Sequence, residues 1–311
     1  MKFGPLESVP CALCGNENLK LIVTEDWFGD DFNVVRCGKC KLIFTNPRPT
    51  REWKENFYDP DINEYLQQDQ REFPFQNENL ISRIDVPAWD YLKTQLPNGS
   101  KLLDVGCSSG AFVKAALHHG FNASGMDYSE EAVAHARNTD NLDVFQGHVE
   151  KIPAEDNSYD IITLIQVIEH FDHPMEALAE LQRVLKPGGL LYLETVNYQK
   201  LYWLERYFSF LKPLYFKVRK QESPWWKDRL PWVPFDHYYH WTPRTIRKAL
   251  RKAGFQQEES HYFAKTDPWK PTDGRRGLLE TFYRKTIDLL FRFAGKAIGG
   301  NLIATGRKPE H

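Results

Sequence analysis

Short apolar runs alternate with amphipathic segments along the middle of the chain. The apolar runs predict buried strands at 101–105, 122–126, 142–145, 159–165 and 190–194. The segments between them have helical periodicity at 111–119, 130–137 and 175–185, and Pro187-Gly188-Gly189 ends the last of these helices. Strands that alternate with helices of this length predict an α/β fold, in which a parallel sheet carries helices on both faces.

The same alternation continues near the end of the chain. Thr242 is suited to cap a helix over 244–253, and Pro243 is suited to its first turn. Apolar runs at 254–263 and 301–306 predict two further strands. The chain therefore predicts seven strands in one α/β unit that begins near residue 100.

Four of the five cysteines form two Cys-x2-Cys pairs, and 22 residues separate the pairs: Cys11, Cys14, Cys37 and Cys40. Each pair can aim two thiolates at one point, and this spacing suits tetrahedral zinc. Four thiolates leave no position for water, so the zinc would be structural. Two disulfides and an iron site are the alternatives, and a cytosolic chain disfavours disulfides.

Residues 1–48 predict a zinc ribbon, because apolar runs at 19–23 and 32–35 place two short strands between the cysteine pairs. A ribbon of this size needs its metal to fold. The sequence Asn-Pro-Arg-Pro-Thr at 46–50 marks the end of the ribbon. The polar, aromatic stretch 49–98 predicts a helical connection to the next domain.

Composition and charge restrict the kind of protein. Hydrophobic residues make up 41% and charged residues 26% of the 311 residues, which is typical of a folded chain of about two domains. Residues 1–198 carry 17 Lys/Arg against 31 Asp/Glu, whereas residues 199–311 carry 23 against 11. Six of the nine tryptophans also lie in the second part. A basic, aromatic surface suits an anionic partner, and scattered solvated charges are the alternative interpretation.

No apolar run approaches the roughly 18 residues of a membrane span, and the N-terminus has no signal-peptide pattern. We therefore expect a cytoplasmic protein. Residues 278–298 predict an amphipathic helix with one apolar and one basic face. We expect that helix to pack on the sheet, and peripheral contact with an anionic inner membrane face is the alternative.

A glycine-containing turn follows the first predicted strand of the α/β unit. Asp104-Val-Gly106-Cys-Ser-Ser-Gly110 opens a helix, whose N-terminus offers free N–H groups. Asp127, at the end of the next strand, can accept hydrogen bonds from both hydroxyls of a ribose. Ligands of such sheets bind at the carboxyl ends of the strands, where both features lie. A nicotinamide site fits these facts too, but it usually carries Gly-x-Gly-x-x-Gly.

Four motifs together resemble class I S-adenosylmethionine-dependent methyltransferases over about residues 80–200: the glycine turn, Gly125-Met-Asp-Tyr-Ser129, Val167-Ile-Glu-His170 and Leu185-Lys-Pro-Gly-Gly189. The ribbon and the following Asn-Pro-Arg-Pro resemble a bacterial subset associated with sugars, surface polysaccharides and natural products. The resemblance implies a Rossmann-like, doubly wound sheet of seven strands with the last strand antiparallel. It also implies S-adenosylmethionine as methyl donor.

The resemblance assigns the glycine turn to the amino-acid part of the cofactor. The implied contacts are Asp104, Gly106, Ser108 and Gly110. Ser108 stands where a glycine is usual, so the turn is expected to differ slightly there.

The rest of the cofactor falls on the following strands. By resemblance, Asp127 would bind the ribose hydroxyls and Tyr128 would pack on the adenine. His148 stands where the family often has an acidic residue that meets the adenine amino group, and the Val149 backbone N–H could serve instead. Gln166 would lie near the methionine part.

Pattern and resemblance together divide the chain into five parts: a zinc ribbon at 1–48, a helical connection at 49–98, a cofactor-binding core at 99–198, a helical, aromatic lid insertion at 199–241, and the remainder of the methyltransferase sheet at 242–311. A segment inserted after a core strand usually covers the acceptor, so the lid is expected to set acceptor specificity.

The chemistry asks the protein to align the acceptor, exclude water and remove a proton where the acceptor is a hydroxyl. Histidine suits that proton near neutral pH, and the candidates are His170, His173, His237 and His240. His170 follows a core strand, whereas His237 and His240 precede the helix at 244–253. Ordinary packing is the alternative role for each histidine.

We expect O-methylation of a small-molecule or glycan acceptor, such as a sugar, a nucleotide sugar or a polysaccharide precursor. Basic residues of the lid favour an acceptor that bears phosphate: Arg206, Lys217, Arg219 and Lys220. The alternatives are a catalytically silent module that binds cofactor or protein, and an RNA methyltransferase. The acidic residues 1–198 and the lack of a basic run disfavour nucleic acid.

Overall fold

The computed structural model describes residues 4–27, 30–58, 87–198, 236–263 and 301–310. The predicted helix at 278–298, most of the expected lid (199–235) and its four basic residues lie outside the described residues, as does the stretch 59–86. None of the helices in the described ranges is long and apolar enough to cross a bilayer.

The described strands are β1 (Leu6–Glu7), β2 (Leu19–Trp27), β3 (Asp30–Cys37), β4 (Ile43–Thr45), β5 (Arg48–Pro49), β6 (Lys101–Val105), β7 (Asn122–Asp127), β8 (Val144–Gln146), β9 (Tyr159–Ile165), β10 (Leu185–Val196), β11 (Tyr239–His240), β12 (Gln256–Phe263) and β13 (Asn301–Arg307). The described helices are α1 (Arg51–Tyr58), α2 (Pro87–Gln95), α3 (Ala111–His118), α4 (Glu130–Asp140), α5 (Pro174–Val184) and α6 (Pro243–Lys252), and a short 3-10 turn covers Ile168–His170.

The main sheet has seven strands in the order β12-β13-β10-β9-β6-β7-β8. The pairs among β10, β9, β6, β7 and β8 are parallel, whereas β13 is antiparallel to both β10 and β12. This confirms the predicted α/β class, the seven strands and the antiparallel last strand. The strand order reverses between β6 and β9, so a crevice is expected at their carboxyl ends.

β10 begins earlier than the apolar pattern predicts. We expected a helix through Leu185 and a strand from Leu190, but α5 ends at Val184 and Leu185 already pairs with Tyr159 of β9. The register shifts between Leu185 and Leu190. Pro187 within this stretch has no N–H to donate, which accounts for an irregular rather than a helical connection.

The ribbon forms a separate four-stranded sheet in the order β11-β4-β3-β2. Its long hairpin, β2 and β3, extends the two strands expected at 19–23 and 32–35. The fourth strand, β11, comes from the C-terminal end of the expected lid and pairs with β4 through Tyr239–Phe44 and His240–Ile43. The ribbon sheet is therefore completed by residues almost 200 positions further along the chain.

The ribbon and the main sheet share one hydrophobic core. Leu42 and Phe44 of the ribbon belong to the same buried cluster as Leu193 of β10 and Trp241 beside α6. A second core lies around Trp89, Phe112 and Val133 and includes Leu102 and Ile161 of the main sheet. The shared core therefore fixes the ribbon against the main sheet.

Candidate active site

The four N-terminal cysteines converge on one point. Their Sγ atoms lie within 4.8 Å of one another, with 3.4 Å between Cys11 and Cys40 and 3.5 Å between Cys14 and Cys37. Zinc–sulfur bonds of about 2.3 Å in a tetrahedron put sulfurs about 3.8 Å apart. The S···S distances are too long for disulfides, which are about 2.05 Å. The cluster therefore fits a structural zinc ribbon.

The turn after β6 requires glycine at two positions. Gly106 and Gly110 adopt left-handed φ angles of +78° and +81°. A Cβ at Gly106 would come within 2.4 Å of Val167, and one at Gly110 within 2.4 Å of Leu142. Ser108 keeps a left-handed conformation at φ 48°, although a side chain there is disfavoured.

Asp127 ties this turn to the end of β7. Its carboxylate accepts the backbone N–H of Ser108 at 2.7 Å and that of Ser129 at 2.9 Å. The two bonds hold the carboxylate between the glycine turn after β6 and the residues that follow β7. Its remaining lone pairs suit two ribose hydroxyls.

Two buried polar groups lie beneath the turn. Asp104 is almost fully buried and accepts the Thr163 hydroxyl at 2.7 Å. Burial raises the pKa of Asp104 to about 7, and the nearby charge of Asp127 adds to this shift. Directly after β9, Gln166 has a left-handed backbone. Its side-chain nitrogen, Nε2, is buried without a hydrogen-bond partner among the described residues. A polar cofactor in this crevice would satisfy that nitrogen.

The expected adenine side is partly open. Tyr128 is 58% exposed, which is unusual for a tyrosine beside a core strand, and its ring centroid lies 6.0 Å from that of His148. Val149 is buried directly after His148. An exposed aromatic face at this position offers a stacking surface for a flat base. All nine predicted cofactor residues thus fall on β6, β7, β8, β9 or the segments that follow these strands.

Two of the four candidate histidines, His170 and His237, lie side by side just beyond the end of β9. Their ring centroids lie 4.7 Å apart. Nδ1 of His170 lies 3.0 Å from the Asp236 carbonyl oxygen and 3.2 Å from its carboxylate. Nδ1 of His237 forms a hydrogen bond with the Tyr198 hydroxyl. His173, by contrast, is exposed just before α5.

His240 lies deeper than the other two candidates. It is fully buried, its ring packs 4.4 Å from that of Tyr198, and Nε2 lies 3.4 Å from the Thr45 hydroxyl of the ribbon. Burial lowers the pKa of His240 well below the ordinary value, so its ring is neutral at pH 7. Its buried position against Tyr198 and Thr45 suits a structural role beside the other two histidines.

Sequence reasoning missed two acidic members of this cluster, Glu169 and Asp236. Glu169 is fully buried; Oε2 accepts the Thr195 hydroxyl at 2.8 Å, and Oε1 has no hydrogen-bond partner within the described ranges. Both acids directly precede a candidate histidine in the sequence. The repeated acid-histidine pair was the available signal, although only the fold brings its two copies together.

The two neighbouring histidines, His170 and His237, have pKa values shifted in opposite directions. Although burial alone would lower it, the Asp236 carboxylate raises the pKa of His170 to about 9, with support from Glu169. Burial and the neighbouring charge of His170 lower the pKa of His237 to about 4. At pH 7, His170 is therefore an imidazolium and His237 a neutral imidazole.

The same side chains could also be considered for a cation. One carboxylate oxygen of Glu169 and one ring nitrogen each of His170 and His237 lie within 4.8 Å of one another. Nδ1 of His170 meets the Asp236 carboxylate, which is an arrangement found both in imidazolium–carboxylate pairs and in histidines whose other ring nitrogen binds a metal.

A family model described as a methyltransferase domain matches residues 77–260, more than half of the chain. The chain belongs to this methyltransferase family. The match includes the glycine turn, Asp127 and the acid-histidine pairs described above. With its mostly parallel sheet and antiparallel last strand, the protein is a class I S-adenosylmethionine-dependent methyltransferase, as the sequence motifs predict.

Curated relatives agree with the methyltransferase class. The chain is 27% identical over 201 residues to the demethylmenaquinone methyltransferase of Staphylococcus saprophyticus, a match that covers 60% of this chain and 84% of that protein. It is 30% identical over 115 residues to the ubiquinone biosynthesis O-methyltransferase of Photorhabdus laumondii, covering 34% and 47%. The second match spans less than half of that relative.

Solved structures show the same fold. A methyltransferase of Archaeoglobus fulgidus superposes with a TM-score of 0.51 at 16% identity, covering 78% of this chain and all of that one. A chain from the complex between the Haloferax volcanii Trm112 methyltransferase activator and a methyltransferase gives 0.50 at 23% identity, covering 71% and 88%.

Proposed function

We propose that this methyltransferase moves a methyl group from S-adenosylmethionine to a hydroxyl of a small-molecule acceptor. The observation that supports this most is one of placement. The glycine turn follows β6, Asp127 ends β7, and Gln166 and His170 follow β9 at the same edge of the sheet. His237, just before β11, lies 4.7 Å from His170. Donor-binding and proton-accepting groups therefore share one crevice, as transfer to a hydroxyl requires.

The cofactor residues have separate tasks in this proposal. Gly106 and Gly110 let the backbone approach the amino-acid part, and Asp127 accepts the ribose hydroxyls. The amide of Gln166 would donate its unpaired N–H to the methionine part. When bound, the cofactor supplies a methyl group already activated by its sulfonium, so these residues need only bind and orient it.

His237 is the proposed base. It is neutral at pH 7, whereas His170 already carries a proton. The Asp236 carboxylate lies 3.2 Å from Nδ1 of His170 and offsets the charge of that imidazolium. Burial raises the pKa of Glu169 above its ordinary value. Asp236 and the Tyr198 hydroxyl hold the two rings through their Nδ1 atoms, which is how a base is oriented for proton transfer.

The class of acceptor follows from two different considerations. The ribbon and the basic lid residues favour a sugar, nucleotide sugar or other glycan precursor, preferably one that bears phosphate. The names of the curated relatives favour a quinone or a quinone precursor instead, and a quinol or a phenolic precursor would present a hydroxyl. Both classes present a hydroxyl, so both are compatible with proton transfer to His237.

We also propose one structural zinc ion in the ribbon. The four free thiols within 4.8 Å support it, and their retention as thiolates requires a reducing compartment such as the cytoplasm. A zinc bound by four cysteines has no open position, so it would stabilise the ribbon and take no part in methyl transfer.

The proposal is tested with labelled S-adenosylmethionine and a panel of nucleotide sugars, glycans, quinols and phenols. The expected result is label transfer to one acceptor class, with turnover lost in His237→Gln but cofactor affinity kept. Cofactor binding without transfer to any acceptor would favour a silent binding module. Label on RNA, with strong dependence on salt, would favour the nucleic-acid alternative.

A further inference from the structure

The ribbon contacts the histidine cluster along β4. β4 begins three residues after Cys40 and ends at Thr45, and its partner β11 contains His240. The residue before β11, Tyr238, donates its N–H to the Glu169 carbonyl oxygen at 2.8 Å. One short stretch of chain thus lies between the zinc-binding half of the molecule and the acid-histidine pair after β9.

Thr45 makes three contacts with this stretch. Its backbone N–H donates to the Tyr238 carbonyl oxygen at 2.9 Å. Its hydroxyl lies 3.4 Å from the His237 carbonyl oxygen and 3.4 Å from Nε2 of His240. Thr45 is fully buried, so water does not replace these contacts. The Thr45 hydroxyl thereby contacts both lid histidines.

The two Cys-x2-Cys segments of the ribbon hold the other end of the same stretch. α6 follows β11 after only two residues, and two of its lysines donate to backbone carbonyls of these segments: Lys248 to Cys40 at 3.2 Å and Lys252 to Leu13 at 2.8 Å. The stretch from His237 to α6 is therefore fixed to the ribbon before β11 and after it.

We infer that Thr45 is a positioning residue, through which the folded ribbon sets the place of His237 beside His170. Its effect on turnover rests on the proposed role of His237, whereas its effect on the geometry of the histidines does not. The ribbon would thereby form a structural part of the acceptor side of the site. The cofactor turn, by contrast, is held by β6 and β7, on the far side of β9 from β10.

The experiment compares Thr45→Val with Thr45→Ser in the full-length, zinc-loaded protein. Valine keeps the branched shape and removes the hydroxyl, while serine restores the hydroxyl. The matched control is Thr24→Val, because Thr24 is an exposed ribbon threonine whose hydroxyl donates to Asn33 within the hairpin at 2.7 Å. Three quantities are measured: ring-proton NMR titrations of the histidines, cofactor affinity by calorimetry, and turnover.

We expect Thr45→Val to shift the ring resonances and titrations of His237 and His240. Turnover should fall about 2- to 10-fold, the loss expected for one buried hydrogen-bonding group, with cofactor affinity unchanged. Thr45→Ser should recover most of both effects, and Thr24→Val should match the parent protein.

Two outcomes separate this inference from the proposed function. If the histidine resonances of Thr45→Val match those of the parent protein, the positioning role is wrong, even if His237→Gln is inactive. If the resonances shift but turnover does not change, the positioning role stands and His237 is not the base. A fall in cofactor affinity equal to the fall in turnover would show general loosening and overturn the inference.

Discussion

Replacing His170 by asparagine should raise the pKa of His237. In the parent protein, burial and the His170 imidazolium together hold the pKa of His237 at about 4. Asparagine removes the positive charge and keeps a polar side chain beside Asp236. The uncovered Asp236 carboxylate also favours a protonated His237, so both changes act in the same direction.

The size of this shift follows from the 4.7 Å between the two ring centroids. Coulomb's law gives about 0.9 kcal/mol at the dielectric constant of water and about 3.5 kcal/mol at an effective value of about 20. These energies correspond to about 0.6 and 2.6 pH units. The His170 side chain is 34% exposed, so screening by solvent favours the lower half of this range.

The pKa of His237 can be measured by NMR titration before any acceptor is identified. Once an acceptor is known, the same pKa should appear as the acid limb of the pH profile of kcat/KM. A base must be deprotonated, so activity rises with pH through its pKa. The described charged and titratable neighbours of His237 are Glu169, His170, Tyr198, Asp236 and His240. The parent limb should lie near pH 4 and the His170→Asn limb between about 4.6 and 5.6, whereas the control His173→Asn should match the parent. A parent limb near pH 9 would make His170 the base, and an unmoved limb in His170→Asn would refute the electrostatic argument.

Three further predictions concern the cofactor turn and the ribbon. Asp127→Ala should weaken S-adenosylmethionine binding at least about tenfold in calorimetry because charge-assisted hydrogen bonds are lost, while the exposed control Asp143→Ala should not; equal affinities would place the ribose elsewhere. Gly106→Ala should destabilise the fold by about 1–3 kcal/mol more than Gly99→Ala, because both glycines are left-handed but only a Cβ at Gly106 meets Val167, at 2.4 Å; equal melting temperatures would contradict this steric reasoning. Elemental analysis should find about one zinc per chain, and chelation should unfold the ribbon; a metal-free protein with an intact fold would show that the zinc assignment is wrong.

The sequence predicted the parts of the fold in which local pattern and tertiary structure agree. The strands that became β6, β7 and β9 are short apolar runs bounded by turns, and each lies within one residue of its predicted position. The cysteine pairs were equally informative, since metal-ligand spacing is a local property. The predicted start of β10, Leu190, was wrong. Pro187 and the following glycines disturb the pairing with β9, but the strand already begins at Leu185.

The acceptor side was harder to predict because it depends on contacts across the chain. β11 has only two residues, which are too few to show a strand pattern in the sequence. It is a strand because it pairs with β4. Asp236 reaches His170 across 66 positions, and Thr45 reaches His240 across 195. Sequence could identify the histidines as chemically suited residues, but only the fold shows which acids surround them.

The central claim, methyl transfer from S-adenosylmethionine, is tested most directly by following a labelled methyl group from the donor into the acceptor panel. The account predicts label in one hydroxyl-bearing product, together with an equal amount of demethylated donor. It also predicts loss of that label in Asp127→Ala at limiting donor concentration. A protein that binds the donor but labels no sugar, glycan, quinol or phenol would contradict the account.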